Sequence, residues 1–222
     1  MLSPFSQHVL FHVGPAPITV PVVTTWGIMI VLTAFSWFVT RRLDVEHPGA
    51  LQNTLELLVE TEASQIRDVI RRDPGPFLPL LGTLFLYLVV ANLAGIVPGV
   101  EPPTAHLETP AALGLIVFFS VHVFGMRIRG VRQYLSGYLK PNPVMLPFNV
   151  LSELTRTFSL MVRLFGNIMS HEIVIGLVVS LAGLLVPIPL MLLGILIGLV
   201  QAYIFTILAT VFVAAAIGAE ES

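Results

Sequence analysis

Arg163 is a permanent charge inside an apolar run, Ser159-Leu160-Met161-Val162-Arg163-Leu164-Phe165-Gly166-Asn167. Between Pro141 and Ala219 the only formal charges are Glu153, Arg156, Arg163 and Glu172. An arginine at hydrocarbon depth costs roughly 3 kcal/mol on insertion scales and about 10 or more in simulations. It persists where it faces a protein interior or a water path. The chemistry on offer is electrostatic, so ion handling is the first expectation. His171 next to Glu172 adds two proton-exchanging groups whose types suit a relay.

On a helix, positions three, four and seven apart share a side. Arg156, Ser159, Arg163, Asn167 and Ser170 form such a line. Glu153, three residues before Arg156, can pair with it. His171 lies about 80 degrees around the helix from Arg163 and Glu172 about half a turn away. Glu172 is therefore badly placed to neutralise Arg163, which stays available to something outside its own helix. Further on, Gln201, Tyr203, Thr206 and Thr210 are polar positions in another apolar run, with Gly194, Gly198 and Ala202 giving a small face for close helix approach. Asn92 in an earlier run needs a partner, and His122 is expected to be structural. Glu101, His106 and Glu108 can gather cations at an outside entrance.

These groups need helices of membrane length to hold them. Mean hydropathy is +0.90 and 11% of residues are charged, against about 25% in soluble domains, so the expected class is an all-α integral membrane protein. Met1 to Pro21 is an outside tail carrying His8 and His12. Spans are expected at Val22–Val39, Phe77–Val97 and Pro110–Met126, with a surface helix at Leu51–Ile70 and a broken connection from Tyr134 to Pro147. Phe148–Leu185, about 38 residues or roughly 57 Å, is too long to cross a 30 Å layer upright, so it must tilt or bend. Pro187-Ile188-Pro189 turns the chain, and Leu190–Ile217 returns. The whole is expected to be one membrane domain: the tail 1–21, peripheral helices and loops 22–140, and a tilted hairpin 141–222. Of eleven basic residues, five lie between Arg41 and Arg72 and four between Arg127 and Lys140, whereas Pro98 to Pro110 has none. The positive-inside rule then puts the N-terminus outside and the C-terminus in the cytoplasm after five crossings.

Ser159-Leu160-x-x-Arg163-Leu164-Phe165-Gly166-Asn167 followed by Glu172 resembles the central segment of subunit a of the membrane sector of F-type ATP synthases. Gln201-Ala202-Tyr203-Ile204-Phe205 resembles its last helix, and Asn92-Leu93-x-Gly95-x-x-Pro98 the end of an earlier span. The resemblance implies that Arg163 faces the carboxylates of a ring of c subunits and blocks leakage between two offset half-channels. It implies that Asn167, His171, Glu172 and Gln201 lie along the ion path, with Glu153, Arg156, Ser159 and Ser170 auxiliary. Implied partners are the c-ring, the subunit b stalk, the other Fo and F1 subunits and membrane lipid, in a bacterial inner membrane. The ion would be a proton, with sodium as the alternative. His171 stands where some members have glycine, and those members carry histidine at the position of Gly194. Asn149 stands where many have glutamate, leaving Glu153 as the nearer substitute, and Thr157 replaces a common proline.

Several classes are excluded or disfavoured. Zero cysteines rules out thiolate chemistry and disulfides. There is no phosphate loop, dinucleotide fingerprint or metal-ligand cluster, so no cofactor, metal or nucleic acid is expected and ATP chemistry would sit on other chains. A secondary transporter would also explain buried Arg, Glu and His, but the first half has no broken-helix pair to match the hairpin. A membrane scaffold would tolerate changes at Arg163.

Overall fold

The computed structural model describes residues 9–13, 16–41, 43–44, 49–96, 100–138, 142, 144–183, 186 and 188–218. Met1, His8, Val97, Pro98, Lys140, Pro141, Leu185, Pro187 and Ala219, each used in the sequence argument, lie outside that set. Strands β1 (Val9–Val13) and β2 (Ala16–Thr19) pair antiparallel where a plain tail is expected. Seven α-helices follow among the described residues: α1 Val20–Thr40, α2 Ala50–Ile70, α3 Leu78–Leu93, α4 Glu108–Arg129, α5 Val131–Tyr138, α6 Met145–Ala182 and α7 Ile188–Ile217. A 3-10 turn extends α3 to Ile96, and another covers Pro103–Ala105. Among the described residues, five helices are long and apolar enough to cross a membrane: α1, α3 with its extension, α4, α6 and α7.

Helices α1 and α6 start two and three residues ahead of the sequence expectation because proline is tolerated there, whereas α3 starts one residue after it. Pro21 sits in the first turn of α1 and Pro147 in that of α6, where a missing N–H would have had no partner anyway. At the far end of α1, the Arg41 guanidinium lies 3.8 Å above the Trp37 ring, a cation–π contact. The surface helix α2 turns Glu62, Ile66 and Ile70 inward and closes on Arg71, whose φ of 55° is left-handed.

Helix α5 corrects the expected broken connection. The prolines of that stretch begin at Pro141, and Val131–Tyr138 contains none. Its Tyr134 ring packs where a side chain at Gly125 of α4 would have to go, so tertiary packing holds this short helix in place.

Helix α7 is the hub, touching α3, α4, α6 and α2. Its buried side is made of Gly198, Ala202, Phe205, Ala209, Val213 and Ile217, mostly small residues three or four apart that let neighbours approach closely. Leu81, Leu88 and Ala91 of α3, Val117 of α4, and Leu160, Leu164 and Ile168 of α6 complete the core. With 38 residues α6 is about 57 Å long, as its sequence requires. It buries one apolar row and leaves the opposite side uncovered.

Candidate functional site

The uncovered side of α6 is the polar line. Arg156, Ser159, Arg163, Asn167 and Ser170 are all exposed, while Leu160, Leu164 and Ile168 on the other side are buried. Arg163 has no hydrogen-bond or ion-pair partner among the described residues. It borders a groove of about 560 Å³ walled by Phe148, Arg156, Ser159, Leu208 and Phe212 among others. Arg156, seven residues earlier on the same stripe, likewise has no partner among the described residues, so the stripe presents two uncompensated guanidinium groups that call for an external anion.

Toward the end of α6 that carries Glu172, each polar group meets a specific neighbour. Asn167 Nδ2 donates to Gln201 Oε1 at 2.8 Å, tying α6 to α7 across the hairpin. Gln201 is 2% exposed, so this bond also satisfies a buried amide oxygen. The His171 ring fills the space that any side chain at Gly194 would need. Glu172 turns to a different neighbour: its Oε1 would lie 3.3 Å from a Cβ placed on Gly95, beside the Pro102 ring. The two proton-exchanging groups are thus adjacent in sequence but face α7 and the end of α3 respectively. Asn92 finds two partners, donating to the Gly198 carbonyl at 2.8 Å and accepting from Thr104 Oγ1 at 2.7 Å. Nearby, His106 Nε2 and Glu101 Oε2 are 3.0 Å apart, and Glu108 accepts from Thr19 Oγ1 at 3.1 Å.

The other end of α6 is built differently. A cavity of about 410 Å³ opens between α4, α5, α6 and α7, with Glu153, Asn149, Tyr138, Tyr134, Arg129 and Arg156 on its walls. Glu153 does not pair with Arg156. Its Oε2 accepts the Tyr138 hydroxyl, and its Oε1 lies 3.6 Å from His122 Nε2. Tyr138 and Tyr134 share a further bond of 2.8 Å. Burial first, then the carboxylate bond, pushes the Tyr138 phenol upward, and burial does the same to Tyr134. Both remain hydrogen-bond donors at neutral pH.

The model of the ATP synthase A chain family matches residues 22–214. That span covers every group described above except the β strands, α1's first turn and the last residues of α7. The chain belongs to the ATP synthase A chain family. Among its relatives are ATP synthase subunit a 2 of Bradyrhizobium sp. strain BTAi1, 65% identical over 97% of this chain and 96% of the relative. Subunit a 2 of Pelobacter propionicus is 49% identical over 96% and 93%. Subunit a of Legionella pneumophila strain Philadelphia 1 is 42% identical over 98% and 94%.

Within this member of the ATP synthase A chain family, the structure sorts the sequence candidates into three sets. Arg156, Ser159, Arg163, Asn167 and Ser170 share the exposed stripe. His171 sits against Gly194 of α7, Glu172 beside Gly95 in the turn after α3, and Gln201 of α7 against the Asn167 amide of α6. Glu153 stands apart with α4 and α5. His122, expected to be structural, is a ligand of that last cluster, and Tyr134 and Tyr138 are new to it. Their i, i+4 spacing on an amphipathic octet was the available signal. Nothing in the sequence gives the rotation that brings His122 round to Glu153.

Proposed function

We propose that the chain is the ion-translocating stator subunit of a rotary ATP synthase, with Arg163 facing the carboxylates of a c-ring seated against the exposed stripe of α6. The observation that carries this reading is the exposed, unpartnered guanidinium at mid-span. An arginine stays charged at any relevant pH. It attracts each ionised ring carboxylate as it passes and carries no proton itself. Neutral carboxylates can then turn into lipid while charged ones stay near Arg163. One elementary charge crossing 100 mV supplies about 2.3 kcal/mol, so several must cross for each ATP.

The ion path has two halves that meet the ring on either side of Arg163. Glu172, His171, Asn167 and Gln201 belong to the half open to the outside, with Glu101 and His106 at its mouth. The Glu153 cavity lies toward the cytoplasm. Its end of the molecule also holds Arg129, packed 2.5 Å from where a Gly218 Cβ would be, so the basic end of α4 and the C-terminal end of α7 share one face. Together with the basic loops this supports a cytoplasmic C-terminus and an outside N-terminus in a bacterial inner membrane. The stripe binds the c-ring; the b stalk and the F1 subunits hold the remaining surfaces. The ion is a proton, which the types of His171 and Glu172 suit.

The test is ATP-driven uptake by inverted vesicles carrying the whole complex, with proton and sodium signals recorded together. Arg163→Ala abolishes coupled uptake while the subunit stays assembled. Arg163→Lys loses most of it, because an ammonium lacks the planar fork and gives up its charge more readily in an apolar site. Undiminished pumping by Arg163→Ala would sink the assignment.

A further inference from the structure

Helix α5 has two different apolar edges. Tyr134 and Tyr138, four residues apart, face the protein: Tyr134 is buried over Gly125, and the two hydroxyls share a bond of 2.8 Å. Val131 and Leu135, also four apart, lie about 60 degrees further round the same helix. They are 57% and 56% exposed. Arg132 takes the far side, about 160 degrees from Tyr134. Asn149 Nδ2 donates to the Tyr138 carbonyl at 3.0 Å, so the start of α6 lies beside the end of α5. There too Met145, Leu146 and Phe148 are apolar and exposed.

The charge around α5 has one sign. From Thr109 to Ser152 the sequence holds no aspartate or glutamate, while Arg127, Arg129, Arg132 and Lys140 are basic. The next carboxylate, Glu153, is turned inward to Tyr138 and His122. Arg129 packs against Gly218 at the end of α7. Arg127 and Arg132 are exposed and have no hydrogen-bond or ion-pair partner among the described residues. Arg127 lies about 160 degrees round α4 from the buried Gly125, so it too points away from the protein. Both flank Gly130, whose φ of 81° turns the chain from α4 into α5. Helix α4 is of membrane length, so this corner is where the chain leaves the apolar layer.

We propose that α5 is an interfacial helix whose Arg127 and Arg132 hold the phosphate of an anionic phospholipid while Val131 and Leu135 dip among its acyl chains. A phosphate matches the guanidinium fork, and apolar side chains beside basic ones at the end of a span are what a headgroup and its upper chain carbons complement. This sets α5 apart from the surfaces given to the stalk and F1 subunits. An anionic lipid is preferred to a zwitterionic one, because the zwitterion would bring a further cation to a corner that has two and no carboxylate. The lipid braces from outside a helix of eight residues, too short to hold by its own hydrogen bonds. It thereby keeps Tyr134 seated over Gly125.

The experiment uses the whole complex, with any cysteines of its other subunits replaced; this chain has none. A nitroxide spin label is placed at Leu135→Cys or at Gln133→Cys. In nanodiscs of phosphatidylglycerol and phosphatidylcholine, dissolved oxygen relaxes the label at 135 more than a polar nickel chelate does, and the order is reversed at 133. In detergent, phosphatidylglycerol slows the label at 135 at a concentration about thirtyfold lower than phosphatidylcholine needs, roughly fivefold for each guanidinium. Arg127→Gln and Arg132→Gln each lose about fivefold of that preference and the double variant loses all of it. Arg67→Gln, on α2, leaves it unchanged, and inorganic phosphate does not slow the label. Equal response to the two lipids, an equal loss in Arg67→Gln, or slowing by inorganic phosphate overturns the lipid site. A label at 135 that neither oxygen nor chelate reaches in nanodiscs marks a protein subunit over this face and overturns it as well. Should the arginine variants not assemble, the oxygen and chelate order at 135 and 133 decides, and a label at 135 that favours the chelate overturns the inference. None of these readouts depends on the ion-path reading.

Discussion

The two ends of α6 differ in how much open space their polar groups enclose. At the Glu172 end, glycine backbones lie directly under side chains: Gly194 under His171, Gly198 2.9 Å (as a built Cβ) from Asn92 Cβ, and Gly95 3.3 Å from both Glu172 Oε1 and Pro102. At the Glu153 end there is a cavity of about 410 Å³, and a Cβ on Gly137 at its wall would meet nothing within 4 Å. Both ends use close glycine contacts, Gly125 under the Tyr134 ring and Gly218 under Arg129 at the Glu153 end, and both use hydrogen bonds, but at the Glu153 end the polar groups also surround open space. Shape leaves little freedom for a substituted side chain, whereas a cavity with several polar wall groups has room for exchangeable water.

The sharpest way to break the tight end is to put two imidazoles where one fits. Gly194→His alone overpacks the α6–α7 contact at a cost of about 1–3 kcal/mol. It lowers both the amount of assembled subunit and the uptake rate. His171→Gly alone leaves the subunit assembled but removes the imidazole and slows uptake. The double variant restores one ring to the same space and recovers both quantities. Immunoblots of assembled complex together with uptake rates check this. A double variant no better than Gly194→His would mean that the contact is not interchangeable and that shape alone does not place the ring.

The difference between the ends also explains what was legible beforehand. The five spans and the 38-residue length of α6 follow from apolar runs, because the hydrocarbon layer sets a minimum length. The stripe from Arg156 to Ser170 follows from helical period alone. His171 and Gly194 were tied together by the family resemblance, and their contact in the structure agrees with it. The Glu153 cluster was not legible. It joins three helices, and Glu153 is 31 positions from His122 and 15 from Tyr138, separations at which no periodicity carries information. Glu153 was instead assigned to Arg156, the neighbour that spacing favours. The β1–β2 pair and α5 escaped for a related reason: both are short elements whose stability comes from what they pack on.

A paired glycine test measures the same contrast with less damage. Gly198→Ala pushes a methyl against Asn92 Cβ and strains the bond from Asn92 to the Gly198 carbonyl. It destabilises the detergent-solubilised subunit by about 1–3 kcal/mol. Gly137→Ala adds the same methyl into open space inside helix α5. It stabilises that helix by about 0.5–1 kcal/mol, the ordinary gain from replacing a helical glycine. Thermal unfolding of the two variants should therefore move in opposite directions. Equal shifts would show that both ends have the same tolerance and would erase the distinction.

The smallest expected effect concerns Glu62 of α2, a helix that touches α3 and α7; 6% of the Glu62 surface is exposed. Burial raises its carboxyl above the ordinary 4.5. The folded state therefore binds more protons than the unfolded state in the window that opens at about that pH, and stability falls as pH rises through it. The contribution is fully present below the unfolded value and is lost above the raised folded one. Hydrogen exchange of the α2 amides, corrected for intrinsic rate, should show protection declining as pH rises above the ordinary carboxyl value of 4.5. Glu62→Gln keeps the shape without a titrating proton, so its α2 protection should be flat over the same range. A native profile as flat as that of Glu62→Gln would mean that the carboxyl reaches water. The docking of α2 would then add no pH dependence to the fold.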